Sequence, residues 1–149
     1  MNVRLALAQI NTTVGDLTGN EDKILNGIEQ ARAVGADIVA FPELAITGYP
    51  PEDLLLKPDF VTAAQQALGR IVSASQRLTV VVGTVWAEED LFSAAVVLHN
   101  GEIAGVYRKQ FLPNYGVFDE QRYFQSGDQR LIFERSGVGI GVSICEDIW

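Results

Sequence analysis

Cys145 is the only cysteine in the chain, which makes it the first place to look for a nucleophile. A lone cysteine is more often a small buried hydrophobe than a reactive group. Here it lies where an apolar run, 138–144, gives way to Glu-Asp-Ile-Trp, as if a strand were passing into the first turn of a helix. The electropositive start of a helix would stabilise a thiolate against its free pKa of about 8.5. A nucleophilic thiol also needs a proton acceptor. The only histidine, His99, directly precedes Asn100-Gly101 and reads as an exposed hairpin residue, so a Cys-His pair is not expected. If Cys145 reacts, its base is a carboxylate.

Glu43 is the best candidate for that base. It follows Ile38-Val39-Ala40-Phe41-Pro42 and so stands at the carboxyl end of a buried strand, where open α/β sheets place their ligands. The same position also describes a solvated loop glutamate. Burial beside apolar strand ends would raise its pKa and make it a usable base. Lys109 is the matching cation, at the end of the apolar run 103–108, although a lysine beside Arg108 is also an ordinary surface residue. One His and one Cys cannot build a zinc site without several carboxylates. There is no Gly-rich phosphate loop either, since Gly137-Val-Gly-Ile-Gly141 lies inside a strand pattern and not before a helix.

The elements that must position these residues follow from hydrophobic period and turn chemistry. Residues 3–10 predict a strand. Asn20 reads as a helix N-cap, Ile24, Leu25, Ile28 and Ala31 as an apolar stripe, and Gly35 as the C-terminal cap. With a second strand over 37–41 this is a β-α-β unit, so its strands should be parallel. Gly48-Tyr49-Pro50-Pro51 marks a loop, and Phe60, Ala64, Ala67, Leu68 and Ile71 form a second helical stripe. Strands follow over 79–86, 92–98 and 103–108, the last two joined by Asn100-Gly101, a type I′ hairpin signal. Residues 109–127 are aromatic and irregular, with one short helix. Two further strands, 131–134 and 138–144, flank Ser136-Gly137. The pattern implies an α/β mixed sheet with helices on one face.

Composition narrows the classes. The net charge of −8 and the absence of any cationic cluster argue against a nucleic-acid partner. No apolar stretch reaches 18 residues, so no membrane span is expected. One cysteine cannot form an intrachain disulfide, which suits the cytoplasm. Four residues after Cys145 cannot complete a helix, so the chain reads as cut short at Trp149.

Taken together, Glu43 in AFPELAITGY, Lys109 in YRKQFLPNYGVFDE and Cys145 in GVSICEDIW resemble the Glu-Lys-Cys triad of the nitrilase, or carbon-nitrogen hydrolase, superfamily. The similarity runs over residues 3–149. TGYPPEDLL and LPNYGVFDEQRYF most resemble the glutaminase domain of glutamine-dependent NAD synthetases. The resemblance implies a four-layer α-β-β-α sandwich, of which residues 1–149 would be the N-terminal part, with the synthetase domain absent. It implies that Glu43 is the base, Lys109 the oxyanion stabiliser and Cys145 the nucleophile toward the glutamine amide. Glu120 matches a second glutamate that orients the lysine or the substrate, and could equally be a helix-start carboxylate. Tyr115 and Phe118 match positions lining the glutamine pocket, and could equally be core packing.

No metal or cofactor is expected within these residues. ATP and Mg²⁺ would belong to the absent synthetase domain, which is the expected partner alongside glutamine, and the family implies a homo-oligomer. Two other readings stay open. One is a free-standing nitrilase-superfamily amidase; the other is a non-catalytic fragment whose uncovered apolar sheet needs another chain.

Overall fold

The computed structural model describes residues 2–149. Its main sheet has five strands in the order β1-β2-β3-β4-β5: β1 (Leu5–Leu7), β2 (Ile38–Ala40), β3 (Thr79–Ala87), β4 (Leu91–His99) and β5 (Glu102–Arg108). The first three run parallel, and β4 and β5 are antiparallel to their neighbours. This is the mixed α/β sheet that the sequence implies. The β4–β5 turn takes φ of 51° at Asn100 and 81° at Gly101, the doubly positive pair that a type I′ turn requires.

Helices α1 (Leu17–Ala33) and α2 (Pro58–Ala74) cover one face of the sheet. Ile24, Ile28 and Ala31 of α1 and Ala64, Ala67, Leu68 and Ile71 of α2 pack with Val39, Val80, Val82, Val96 and Leu98 in one buried cluster. The spacings are helical on one side and alternate along β3 on the other, so each element buries a single stripe. The bidentate pair of Arg70 with Glu21, at 2.6 Å for both contacts, ties the two helices together.

Several expectations are corrected in detail. Helix α1 starts at Leu17, where Asp16 is the N-cap and accepts from the Gly19 N–H at 2.9 Å. Asn20 is buried inside the helix. Its amide joins Thr13 N–H and C=O and the Ile46 C=O at 2.8, 2.8 and 3.0 Å, holding the two loops that flank β2 and α1. Gly35, at φ 69°, does end the helix, with Ala36 N–H returning to Ala31 C=O. β1 and β2 are three residues each, shorter than their apolar runs.

The last two strands are β6 (Leu131–Arg135) and β7 (Val138–Val142). They pair only with each other, as a separate two-stranded sheet. β7 stops at Val142, two residues before the expected end. Leu131 and Val142 pack with Val81, Ala95, Tyr107 and Ile144, so the hairpin covers part of the sheet face opposite the helices. Of the four layers that the resemblance implies, the described residues supply one helical layer and one main sheet.

Candidate active site

The first site residue is placed by a strand end. β2 closes with Phe41 N–H bonded to Val81 C=O, and Pro42 then ends the pairing. Glu43 sits over β3 at Gly83. A Cβ at Gly83 would stand 2.4 Å from Pro42 O, 2.5 Å from Leu44 N and 2.8 Å from Glu43 Cα. Only a residue without a side chain permits this approach. Leu44 follows at φ 48°, a left-handed conformation that strains a non-glycine residue by about 1–3 kcal/mol. The Glu43 carboxylate is left with its side chain only 18% exposed.

Lys109 is delivered by the end of β5. Its N–H donates to Ser93 C=O and its C=O accepts from Gly127 N–H, both at 2.8 Å, which fixes the backbone on both sides. The side chain is fully buried. Its ammonium, which has three protons to donate, meets Glu43 Oε1 at 2.7 Å and Glu120 Oε2 and Oε1 at 2.8 and 3.0 Å. Glu120 begins a short 3-10 turn, Glu120–Arg122, and is buried. The structure therefore brings together Glu43, Lys109 and Glu120 from distant positions in the chain.

Two neighbours were not predicted as site residues. The Tyr49 hydroxyl donates to Glu120 Oε1 at 2.9 Å, and the Ser93 hydroxyl donates to Glu43 Oε1 at 3.3 Å. Tyr49 lies within Gly48-Tyr49-Pro50-Pro51, a segment that marks a loop and carries part of the family resemblance without singling out Tyr49 itself. Ser93 lies on the strand facing β5 and has no sequence signal of its own.

Electrostatics follow from burial and pairing. Burial pushes the Glu43 carboxyl up from its ordinary 4.5, and its hydrogen bond and ion pair with Lys109 recover only part of that. Burial alone would push the Lys109 ammonium down. Its hydrogen bonds to Glu120 and Glu43 reverse this, and its pKa ends above the ordinary 10.5. The Tyr49 phenol is raised by burial and then by the Glu120 carboxylate.

Cys145 opens a four-residue 3-10 turn, Cys145–Ile148, at φ 45°. The residue is exposed. The charges of Glu43, Lys109 and Glu120 all act on its thiol. The expected stabilised thiolate is corrected. Partial desolvation first and the Glu43 charge second raise the thiol above its ordinary 9.0, against a lowering by Lys109. A single 3-10 turn lacks the aligned peptide dipoles of a long helix that would lower it. The Cys145 thiol therefore holds its proton more tightly than an ordinary cysteine does.

Tyr115 is exposed, and its hydroxyl donates to Glu146 at 3.0 and 3.2 Å. Phe118 stacks edge-on against Tyr115, with centroids 5.6 Å apart, and lies 6.4 Å from the Tyr49 ring. These aromatics flank the acidic cluster. A cavity of about 250 Å³ adjoins it, lined by residues that include Tyr49, Pro51, Phe118, Glu120 and Phe124. His99 is half-buried, not exposed, with Nδ1 3.2 Å from Thr79 Oγ1. It lies at the far end of β4 from Ser93, so it is not brought to the site. Among the described residues no three metal-ligating side chains converge to hold an ion. Among the same residues no helix is long and apolar enough to cross a membrane.

Known proteins share this sequence and this fold. The chain is 48% identical over 149 residues to the glutamine-dependent NAD(+) synthetase of Aquifex aeolicus, covering 99% of this chain and 26% of that protein. It is 45% identical to the enzyme of the same name from Thermotoga maritima, again over 99% and 26%. The chain thus spans about a quarter of the length of these curated relatives.

Among solved structures, it matches the glutamine-dependent NAD+ synthetase of Acinetobacter baumannii with a TM-score of 0.94 and 43% identity, over 97% of this chain and 28% of that one. It also matches an amidase from Nesterenkonia sp. AN1, with acrylamide added at its active-site cysteine. That match has a TM-score of 0.84 and 25% identity, over 99% of this chain and 59% of that one. A model of the carbon-nitrogen hydrolase family matches residues 4–149, and with the α/β sheet and its strand-end acid, lysine and cysteine already in place, the chain belongs to that family.

Proposed function

We propose that this chain carries the glutaminase centre of a glutamine-dependent NAD synthetase, with Cys145 as nucleophile, Glu43 as general base and Lys109 as oxyanion stabiliser. The observation that carries the reading is the Lys109 ammonium held between Glu43 at 2.7 Å and Glu120 at 2.8 Å, with the Cys145 thiol under the influence of all three charges. Identity of 45–48% to synthetases of that name supports the substrate. The Nesterenkonia amidase, modified at its active-site cysteine, supports the nucleophile. It also favours a free-standing amidase as the second reading, at the lower identity of 25%.

In this mechanism Glu43 takes the thiol proton as Cys145 Sγ bonds to the side-chain carbonyl carbon of glutamine. The carbonyl oxygen becomes an oxyanion, which Lys109 stabilises. The C–N bond then breaks, the proton on Glu43 passes to the leaving nitrogen, and ammonia departs from a γ-glutamyl thioester. Glu43 next takes a proton from water, whose oxygen attacks the thioester. Collapse releases glutamate and returns the proton to sulfur. Glu120 orients Lys109, and Tyr115 and Phe118 line the approach of glutamine.

The ammonia would serve ATP-dependent amidation of deamido-NAD in a synthetase domain. ATP and Mg²⁺ belong to that domain, and no step here runs through them. Cytoplasmic placement and a homo-oligomer complete the reading. In the full-length protein, Cys145→Ala should abolish glutamine-dependent synthesis while ammonia-dependent synthesis persists. Glutamine-dependent synthesis that survives the substitution refutes the assignment.

A further inference from the structure

The turn that holds Cys145 is tied down by one side chain, Asp147. Its Oδ1 accepts from two consecutive backbone N–H groups, Gln110 at 3.0 Å and Phe111 at 2.9 Å. Its Oδ2 accepts from the Tyr107 hydroxyl at 2.7 Å and from Ile144 N–H at 3.0 Å. Asp147 N–H returns to Ile144 C=O at 3.0 Å. The reciprocal bonds to Ile144 close a ring around Cys145, the residue held at φ 45°. The other contacts reach the residues on either side of Lys109. Tyr107 is buried, and it packs with Ile144 beneath the turn.

We propose that Asp147 is a positioning residue of the glutaminase site. It fastens the Cys145 turn to the end of the strand that delivers Lys109. The inference rests on the reading above for its catalytic consequence, though not for its structural content. An ionised carboxylate offers acceptors only, on two oxygens, and here it meets donors at all four contacts. An asparagine has one acceptor oxygen. Whichever way its amide is turned, its NH₂ faces at least one backbone N–H, donor against donor. Asp147→Asn therefore loosens the turn with almost no change of volume.

The test uses the full-length protein with Asp147→Asn and, separately, Tyr107→Phe, which removes a single contact. Three quantities are measured: kcat and KM for glutamine, melting temperature, and the pH midpoint of Cys145 alkylation by iodoacetamide. A displaced thiol loses the surroundings that raise it, so the midpoint should fall toward 9.0 in Asp147→Asn. Misplacement of the nucleophile should lower kcat about tenfold to a hundredfold, with KM held within about threefold. Tyr107→Phe should move the midpoint the same way by less.

A lowered melting temperature with unchanged kcat and unchanged midpoint would overturn the proposal, leaving Asp147 a folding residue only. If Asp147→Asn is not recovered folded, the midpoint of Tyr107→Phe decides on the same terms. Alkylation needs no glutamine. A wild-type protein without glutaminase activity would therefore sink the functional reading, while a shifted midpoint would still support the role of Asp147.

Discussion

Lys109 and Glu120 meet through both carboxylate oxygens, at 3.0 and 2.8 Å, with neither side chain open to solvent. Together with Glu43 they place two acids on one buried ammonium. Such a cluster is stable only while intact, because removing the cation leaves carboxylates without a counter-charge in a dry site.

Lys109→Met should therefore do more than stop catalysis. Breaking a buried ion pair by deleting one partner destabilises by about 3–5 kcal/mol. Chemical denaturation of the variant checks this; a loss below about 1 kcal/mol, as for an exposed pair, would contradict the burial described here. Glutamine hydrolysis should fall at least about a hundredfold, as when an oxyanion donor is removed.

The thiol should respond to its neighbours with opposite signs. Glu43 raises the Cys145 pKa and Lys109 lowers it. Following alkylation against pH, Glu43→Gln should bring the midpoint down and Lys109→Met should send it up. Shifts of the same sign in both variants would contradict these opposite effects on the thiol.

Stability should also depend on pH through Glu43. Its folded pKa is raised, so the folded state holds that proton more tightly than the unfolded chain does. The contribution is fully present below about pH 4.5 and is lost as pH rises through the raised value. Glu43→Gln should flatten that part of the stability curve, measured as unfolding free energy from pH 4 to 8. Activity runs the other way. Glu43 must be ionised to act as base, so the acid limb of kcat/KM should lie above the ordinary 4.5.

Gly83→Ala adds a single carbon in the wrong place. Its Cβ would press on Pro42 O, Leu44 N and Glu43 Cα, all within 2.8 Å. Overpacking of this kind destabilises by about 1–3 kcal/mol, and here the yielding backbone is the one that holds the base. Glutaminase kcat should fall while ammonia-dependent synthesis is kept. A variant with wild-type kcat would show that the approach of β2 to β3 is slack.

Much of this arrangement was legible in the residues. The alternation along 79–86, the helical stripes and the Asn-Gly turn each state a local preference that the tertiary structure satisfies. The starts of elements were harder. Gly19 hides the first turn of α1, and Asn20 has the side chain of a cap but uses it to bind Thr13 and Ile46. The hairpin of β6 and β7 was indistinguishable from two more strands of the main sheet, because periodicity gives an element and not its partner.

At the site, Glu43, Lys109 and Cys145 could be named from position and motif. Tyr49, Ser93 and Asp147 could not, since each acts across a contact of 36 to 71 residues. The state of the thiol was misjudged for a related reason. The local sequence suggests a helix start, whereas partial desolvation first and the Glu43 charge second act on the sulfur.

The phenol of Tyr49 has a bearing on how the loop around it endures changes of acidity. Raised well above its ordinary value by burial and then by Glu120, it keeps its proton at alkalinities where a free phenol would have lost one. The Gly-Tyr-Pro-Pro segment is therefore latched to the carboxylate that steadies Lys109 by a hydroxyl that goes on donating.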